Sequence, residues 1–462
     1  MFYGNPQIIK FPKPHALSIK YNLDSLLPGF FEKFRDYLMP LEGLPLLTMA
    51  RYKPESYPKN KEHDTRDTAI IGLLRSIMLK RFESSAYAFR STLTTMIKQH
   101  EAFLKALDKG HIIYKEFYKE WSASDDVDID ELLSESENAL PADKYNTELL
   151  KKDVSNDLYI LKDLLNDAEK ITRKNSKKLD ALIECIVQIS EKAEKEGIDN
   201  IDRVQRRKVL IFSYYEETVD WIEKHLNEKI KTDKRLSAYK DRLVSVSGRK
   251  SRNNVKKSSA ISGFAPISTK SLPPNDKDKY DIMIATDVLA EGMNLQQCSN
   301  IINIDLPWNP MRLIQRHGRI DRIGSTYSDV YMYTFFPDDE LDSLLDLERR
   351  VRNKLAQAAA SVGVEETPIQ GGAESEHNFS ETEEEIKKLS TGDATFYEEG
   401  GTKGAAQTGE EYRQELRKAI EKYGDEISDL AWKIGSGMVK GENNGIFFCA
   451  KVGNRTYLRF ID

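Results

Sequence analysis

Cysteine is scarce. Cys185, Cys298 and Cys449 are the only three in 462 residues and stand far apart, which excludes a disulfide framework and a cysteine-rich zinc module and leaves reduced core thiols. No apolar run reaches bilayer-spanning length. The opening stretch MFYGNPQIIKFPKPH lacks the apolar core of a signal peptide. No membrane partner is expected, and the expected location is the cytoplasm. The dipeptide Gly-Lys occurs nowhere, so there is no Gly-rich loop ending in Gly-Lys-Ser/Thr to cradle nucleotide phosphates. SGRKS at 247–251 imitates it poorly, because Arg249 splits the pair. No sign of charge dominates: 69 Lys and Arg against 75 Asp and Glu leave a net −6, which neither favours nor excludes a polyanionic partner.

What is present is a soluble composition, 39% hydrophobic and 31% charged with a mean hydropathy of −0.57, long enough for two to four domains. Helical spacing of Ile70, Leu73, Leu74, Ile77, Met78, Phe82 and Phe89 predicts a core-packing helix over about 65–107, with Gly110 as its C-cap. Residues 122–157 are acidic and Ser-rich and read as a solvated insert. Strand and helix patterns alternate from Lys208 to about Ala360, the signature of a parallel sheet with crossover helices. A second insert, 249–279, carries eight Lys or Arg against two acids; it reads equally as a nucleic-acid backbone contact through Lys256 and Lys257 or as a basic surface loop. Residues 363–407 read as a linker, about 410–431 as a helix, and GIFFCAKV and RTYLRFI around Gly453-Asn454 as a hairpin.

The chemistry concentrates in 280–325. YDIMIATDV and IINIDLP are β-branched apolar runs that read as buried strands. Each is followed by polar residues: Thr286, Asp287, Glu291, Gly292 and Asn294 after the first, Trp308-Asn309-Pro310 after the second, with Asn309 a good N-cap and Pro310 a good first helical residue. In open α/β sheets ligands bind beyond the carboxyl ends of the strands. QRHGRIDRIG then spaces Arg316, Arg319 and Arg322 three apart, which on a helix gathers three guanidiniums near one face. Either an anion, phosphate above all, repays their repulsion, or the face is merely solvated.

These residues carry a resemblance. IATDVLAEGMNL resembles motif V of superfamily-two helicases and translocases, and QRHGRIDRIG resembles motif VI. DLPWNP is similar to the corner found in the Swi/Snf-type branch. KVLIFSYYEETVDWI at 208–222 resembles motif IV, and LLRSIMLKRFESSAYAF at 73–89 is similar to the helix joining the two lobes in bacterial Swi/Snf-like proteins, the group that includes the RNA-polymerase-recycling translocase.

The resemblance implies an α/β fold: a RecA-like parallel-sheet lobe with a helical N-terminal connector and a small α+β C-terminal extension. The expected divisions are 1–60 as a remnant of the first RecA-like lobe, 61–175 as connector with the acidic insert, 176–362 as the second lobe, 363–407 as linker and 408–462 as a partial extension. It implies ATP and Mg2+ held mainly by the first lobe, whose phosphate loop and DExH box are missing; Asp339-Glu340-Leu341-Asp342 comes after the arginines and reads as a helix start. Arg319 and Arg322 match the finger positions and Arg316 an accessory one. Gln315, Asp287, Gly292 and Asn294 are expected at the nucleotide, and Thr286, Trp308 and Asn309 at the nucleic acid. The expected partners are double-stranded DNA and a first lobe in the same or a separate polypeptide, with RNA polymerase or defence-system subunits as further options of the group. The expected activity is ATP-driven movement on double-stranded DNA. A strand-separating DNA or RNA helicase and a non-catalytic binding module are the alternatives, and this chain by itself is expected not to hydrolyse ATP.

Overall fold

The computed structural model describes residues 12–22, 27–38, 46–59, 69–114, 138–247, 256–269, 278–287, 294–307, 311–320, 325, 327–336, 446–452 and 455–461. The chain divides into two units, Met1–Thr402 and Lys403–Asp462.

The first unit is built on a sheet of six strands: β1 (Lys13–Lys20), β4 (Val209–Phe212), β5 (Leu243–Val246), β6 (Ile282–Ala285), β7 (Asn300–Asn303) and β8 (Asp329–Phe336), in the order β1-β8-β7-β4-β6-β5. All five pairings are parallel. The central strands VLIF and IMIA are buried at every position, as expected of a parallel sheet covered on both faces. Side chains alternate between two cores. Val209, Ile211, Ile282, Ile284 and Ile302 face one, and Leu210, Phe212, Met283, Ala285 and Ile301 face the other. This is the RecA-like α/β lobe that the resemblance implies.

The first core is closed by α5 (Lys177–Glu196), α7 (Glu216–Thr232) and a helical layer containing α1 (Phe30–Leu38), α2 (Ala69–Ser84), α3 (Ala86–Leu107) and α4 (Thr147–Lys170). The aromatic cluster Phe30, Phe34, Phe82 and Phe89 joins α1 to α2 and α3. Buried Asp157 ties the segment before α2 to α4, accepting from the backbone N–H groups of Thr48 (2.7 Å) and Ala50 (2.8 Å). The second core is closed by α8 (Lys257–Phe264) and α10 (Met311–His317). The shorter elements are α6 (Asn200–Arg206) and α9 (Pro266–Thr269).

Four expectations need correction. Residues 13–20, expected within a remnant of the first lobe, form the edge strand of this sheet, paired with β8 from Lys13↔Asp329 to Lys20↔Phe336. The long helix is two, because Ser85 leaves helical geometry and its Oγ caps α3 at the Ala88 N–H; α3 ends at Leu107 with Asp108 as its C-cap, and Gly110 takes a φ of 80° two residues after that cap. The acidic insert is shorter than its composition suggested, since β2 (His111–Tyr114) pairs with β3 (Asn138–Pro141) and α4 begins at Thr147. Part of the basic insert is folded: α8 buries Ala260, Ile261 and Phe264.

In the second unit β9 (Ile446–Val452) and β10 (Arg455–Ile461) form the antiparallel hairpin expected around Gly453-Asn454. The linker at 363–407, the helix at 410–431 and the acidic box at 339–342 lie outside the described residues. Among the described residues no helix is long and apolar enough to cross a membrane.

Candidate functional site at the carboxyl edge of the sheet

β4 and β7 are neighbours, and the helices that follow them cover opposite faces of the sheet. Their carboxyl ends therefore form the switch point of the fold, where ligands of open α/β sheets usually sit. Here the crevice is filled by protein. Asp305, just beyond β7 and only 2% exposed, accepts from Ser213 Oγ (2.6 Å) and the Tyr214 N–H (2.9 Å) beyond β4. The same Oδ2 accepts from Ser84 Oγ (2.6 Å) at the end of α2.

One strand over, Thr286 and Asp287 leave β6. Thr286 is buried, and its Oγ1 has no hydrogen-bond partner among the described residues. Asp287 is engaged by Arg316, with Nε at 2.5 Å from Oδ1 and Nη2 at 3.0 Å from Oδ2. Arg312 approaches the same carboxylate at 3.6 Å. Arg316 is fully enclosed, lies over the Phe212 ring and also donates to Asn303 Oδ1. That orients Asn303 so that its Nδ2 donates to His317 Nε2 at 3.0 Å, which requires an unprotonated nitrogen there. Burial, helped by the neighbouring Arg316, holds His317 well below the ordinary imidazole pKa.

The helix bearing the arginines stops at His317. Arg319 stands in the following turn, mostly buried, with its N–H on Arg316 O and its carbonyl accepting from the Leu295 N–H at 2.9 Å. The Arg316 guanidinium, expected at an accessory phosphate position, is buried and donates to Asp287, Asn303 and the Asp305 carbonyl, the arrangement of a brace. The Asp287 carboxylate is occupied by the same pair. Asn294 is half-buried beside Leu295, and Gln315 is exposed on α10. Lys256 and Lys257 are exposed at the start of α8, whose far end accepts from Lys279 and Tyr280 at the amino end of β6; a crossover helix so placed begins at the carboxyl edge. Gly292, Trp308, Asn309 and Arg322 lie outside the described residues.

The opposite edge of the sheet is braced by charge. Fully buried Lys208 donates to Asp278 (2.7 Å), and buried Asp281 takes Arg242 (2.7 Å) and Arg207 (2.8 Å). These pairs are mutually satisfied and aim at no opening, so they hold the amino ends of the strands. Cys185 and Cys298 are buried, and burial pushes both thiols up to about 12, which makes them inert.

Residues 178–324 match the family described as helicase conserved C-terminal domain. Over that stretch the chain is similar to helicase C-terminal domains, in line with the lobe the resemblance implies. A 57-residue stretch is 54% identical to the uncharacterized ATP-dependent helicase YqhH of Bacillus subtilis (strain 168), covering 12% of this chain and 10% of that protein. A 76-residue stretch is 37% identical to eukaryotic initiation factor 4A of Cryptosporidium parvum, covering 16% of this chain and 18% of that one. The chain thus spans a small part of these relatives. The C-terminal part of the Fun30 ATPase domain aligns over 75% of this chain and 96% of its own length, with a TM-score of 0.37 and 18% identity.

Asp305, Ser213, Ser84 and Glu83 were not singled out from sequence. Asp305 lies within the motif DLPWNP, and the polar Glu-Ser-Ser closing an apolar helix was a usable signal. Their meeting across 221 residues was not legible.

Proposed function

We propose that this chain is the C-terminal part of an ATP-dependent translocase that moves on double-stranded DNA. ATP and Mg2+ are held by a first RecA-like lobe, in the same or a separate polypeptide. This lobe supplies Arg319 and Arg322 to the transferring phosphoryl group, where a planar guanidinium stabilises the developing charge. The observation that carries the reading is the Leu295 N–H to Arg319 carbonyl bond. It fastens the motif VI turn to the last residue of motif V, so an arginine and the nucleic-acid-facing loop move as one piece. Hydrolysis that requires the arginine then requires closure of the two lobes, and closure carries the lobe along a phosphate backbone. Gln315, Gly292 and Asn294 are assigned to the nucleotide side, and Thr286, Trp308, Asn309, Lys256 and Lys257 to the DNA side. Arg316 and Asp287 act as the brace between them.

The test is made on protein carrying both lobes. ATPase activity is stimulated more by double-stranded than by single-stranded DNA, and a third strand is displaced from a triplex without unwinding of the duplex below. Efficient unwinding of a forked duplex, with stimulation by single strands alone, overturns the translocase in favour of a strand-separating helicase. The DLPWNP corner and the connector similar to that of bacterial Swi/Snf-like proteins favour the translocase. This chain by itself is expected to bind ATP weakly and not to turn it over.

A further inference from the structure

The switch-point crevice of the lobe is stoppered by the last turn of α2, and the contacts are unusually polar for a helix end. Glu83 is 1% exposed and Ser84 fully buried. Glu83 Oε1 accepts from the Leu306 N–H at 3.1 Å, while Lys80 Nζ bridges Glu83 Oε2 (2.9 Å) to the Leu306 carbonyl (3.2 Å). The Leu306 peptide is thus gripped at both ends by one turn of a helix more than 220 residues earlier. Ser84 Oγ meets Asp305 Oδ2 at 2.6 Å and Thr218 Oγ1 at 2.7 Å, and Ser85 Oγ meets Thr218 Oγ1 at 2.7 Å. Buried Lys178 of α5 closes the turn from behind, donating to the carbonyls of Glu83 (2.6 Å) and Ser84 (3.1 Å).

Burying two carboxylates and two ammonium groups to seat a helix end is a costly way to gain stability. Apolar side chains of the same volume would do as well or better. What the polar set supplies is a single allowed position. The corner it seats, Asp305-Leu306, is the start of the segment leading through Pro307 to α10 and Arg319.

We propose that Glu83 and Ser84 are positioning residues for phosphoryl transfer: seated in the switch-point crevice, they set the Asp305–Leu306 corner and through it the placement of Arg319. The inference rests on the function proposed above. It makes the last turn of α2 an internal ligand of the lobe, occupying the place a small molecule takes in other open α/β sheets. The end of the connector therefore travels with the second lobe, and its displacement would misplace the arginine without any change in the nucleotide pocket of the first.

Two measurements test it. In this chain, amide hydrogen exchange at Leu306 and Tyr214 should rise by about tenfold or more in Ser84→Ala and in Glu83→Gln, with the amides of Val209–Phe212 unchanged, as expected of a local opening. Glu83→Gln removes the ion pair with Lys80 and the charge that holds the Leu306 N–H, and serves if Ser84→Ala does not fold. Acceleration that spreads equally over the central strands marks a merely structural role and overturns the inference. In protein carrying both lobes, Ser84→Ala should lower kcat by about tenfold or more and leave the KM for ATP within about twofold. In an Arg319→Ala background the same substitution should have less than about a twofold further effect, because residues acting through one group are not additive. Full additivity, or a normal kcat in Ser84→Ala beside an impaired Arg319→Ala, overturns this inference alone. A normal kcat in Arg319→Ala overturns the underlying function and this inference with it.

Discussion

The Arg316 guanidinium and the Asp287 carboxylate form a two-pronged ion pair across the loops that follow β6 and β7, with the guanidinium fully enclosed and the carboxylate 17% exposed. This pair braces the edge of the lobe. It locks the arginine-bearing helix to the residues just beyond β6. In the function proposed above, the bracing role falls to Arg316 and the catalytic role to Arg319 and Arg322.

Arg316→Ala should destabilise this chain by about 3–5 kcal/mol, the range for stranding one partner of a buried pair. Arg316→Lys should recover little of it, because an ammonium cannot reproduce two parallel bonds to Asp287 and a third to Asn303. Urea unfolding of the three proteins decides the matter. An Arg316→Ala variant as stable as wild type would refute the brace.

Arg319→Ala should behave oppositely. In protein carrying both lobes kcat should fall by about 10³–10⁵-fold, the range for arginine fingers, with a much smaller change in nucleotide affinity. Arg322→Ala should do the same. Steady-state ATPase assays with KM and kcat resolved are the measurement, and near-normal kcat in both variants would remove the finger assignment.

Charge reversal at Lys256 and Lys257 tests the DNA track. Each lost phosphate contact should flatten the slope of log binding constant against log salt by about one unit. The two lysines sit at the exposed start of a helix that begins at the ligand edge, so both should count. An unchanged slope in a fluorescence titration would return this helix to an ordinary basic surface.

Two buried groups pull in opposite directions as the solution is acidified. Burial, helped by Arg51, pushes His100 down to about 4 from 6.5. The unfolded chain then binds more protons across that window, and stability falls by about 3 kcal/mol as pH drops from 6.5 to 4. Burial pushes Asp157 up to about 6 from 3.8, against the pull of the Ala50 and Thr48 N–H groups. There the folded chain binds more protons, and about 3 kcal/mol is regained as pH drops from 6 to 3.8. Relative to wild type, the His100→Gln stability curve should therefore tilt upward on acidification and the Asp157→Asn curve downward. Urea melts at pH 6.5, 5 and 4 measure both tilts, and parallel curves would show that neither group titrates as its burial requires.

Much of the lobe was legible because its signals are local. A run such as IMIA, apolar at every position and β-branched at two, can be satisfied only by burial on both faces, and all four of its residues are buried. The hairpin around Gly453-Asn454 follows from turn chemistry. Errors arose where one residue decided between two local solutions. Ser85 breaks the 65–107 helix because its hydroxyl serves the Ala88 N–H better as a cap than inside a helix. The arginine helix ends one residue before Gly318, so Arg319 stands in the turn after it and not in the helix.

The sequence by itself determined the parallel α/β lobe, the strand ends that carry polar residues and the arginine-bearing turn after the second of them, because periodicity and composition act over a few residues at a time. Only the tertiary structure decided that residues 13–20 complete this sheet beside β8, that Arg316 is spent on Asp287, and that Glu83 and Ser84 fill the crevice at Asp305. Each of those choices is a pairing between polar groups far apart in the chain. A buried donor must find an acceptor somewhere, but no local rule names which one.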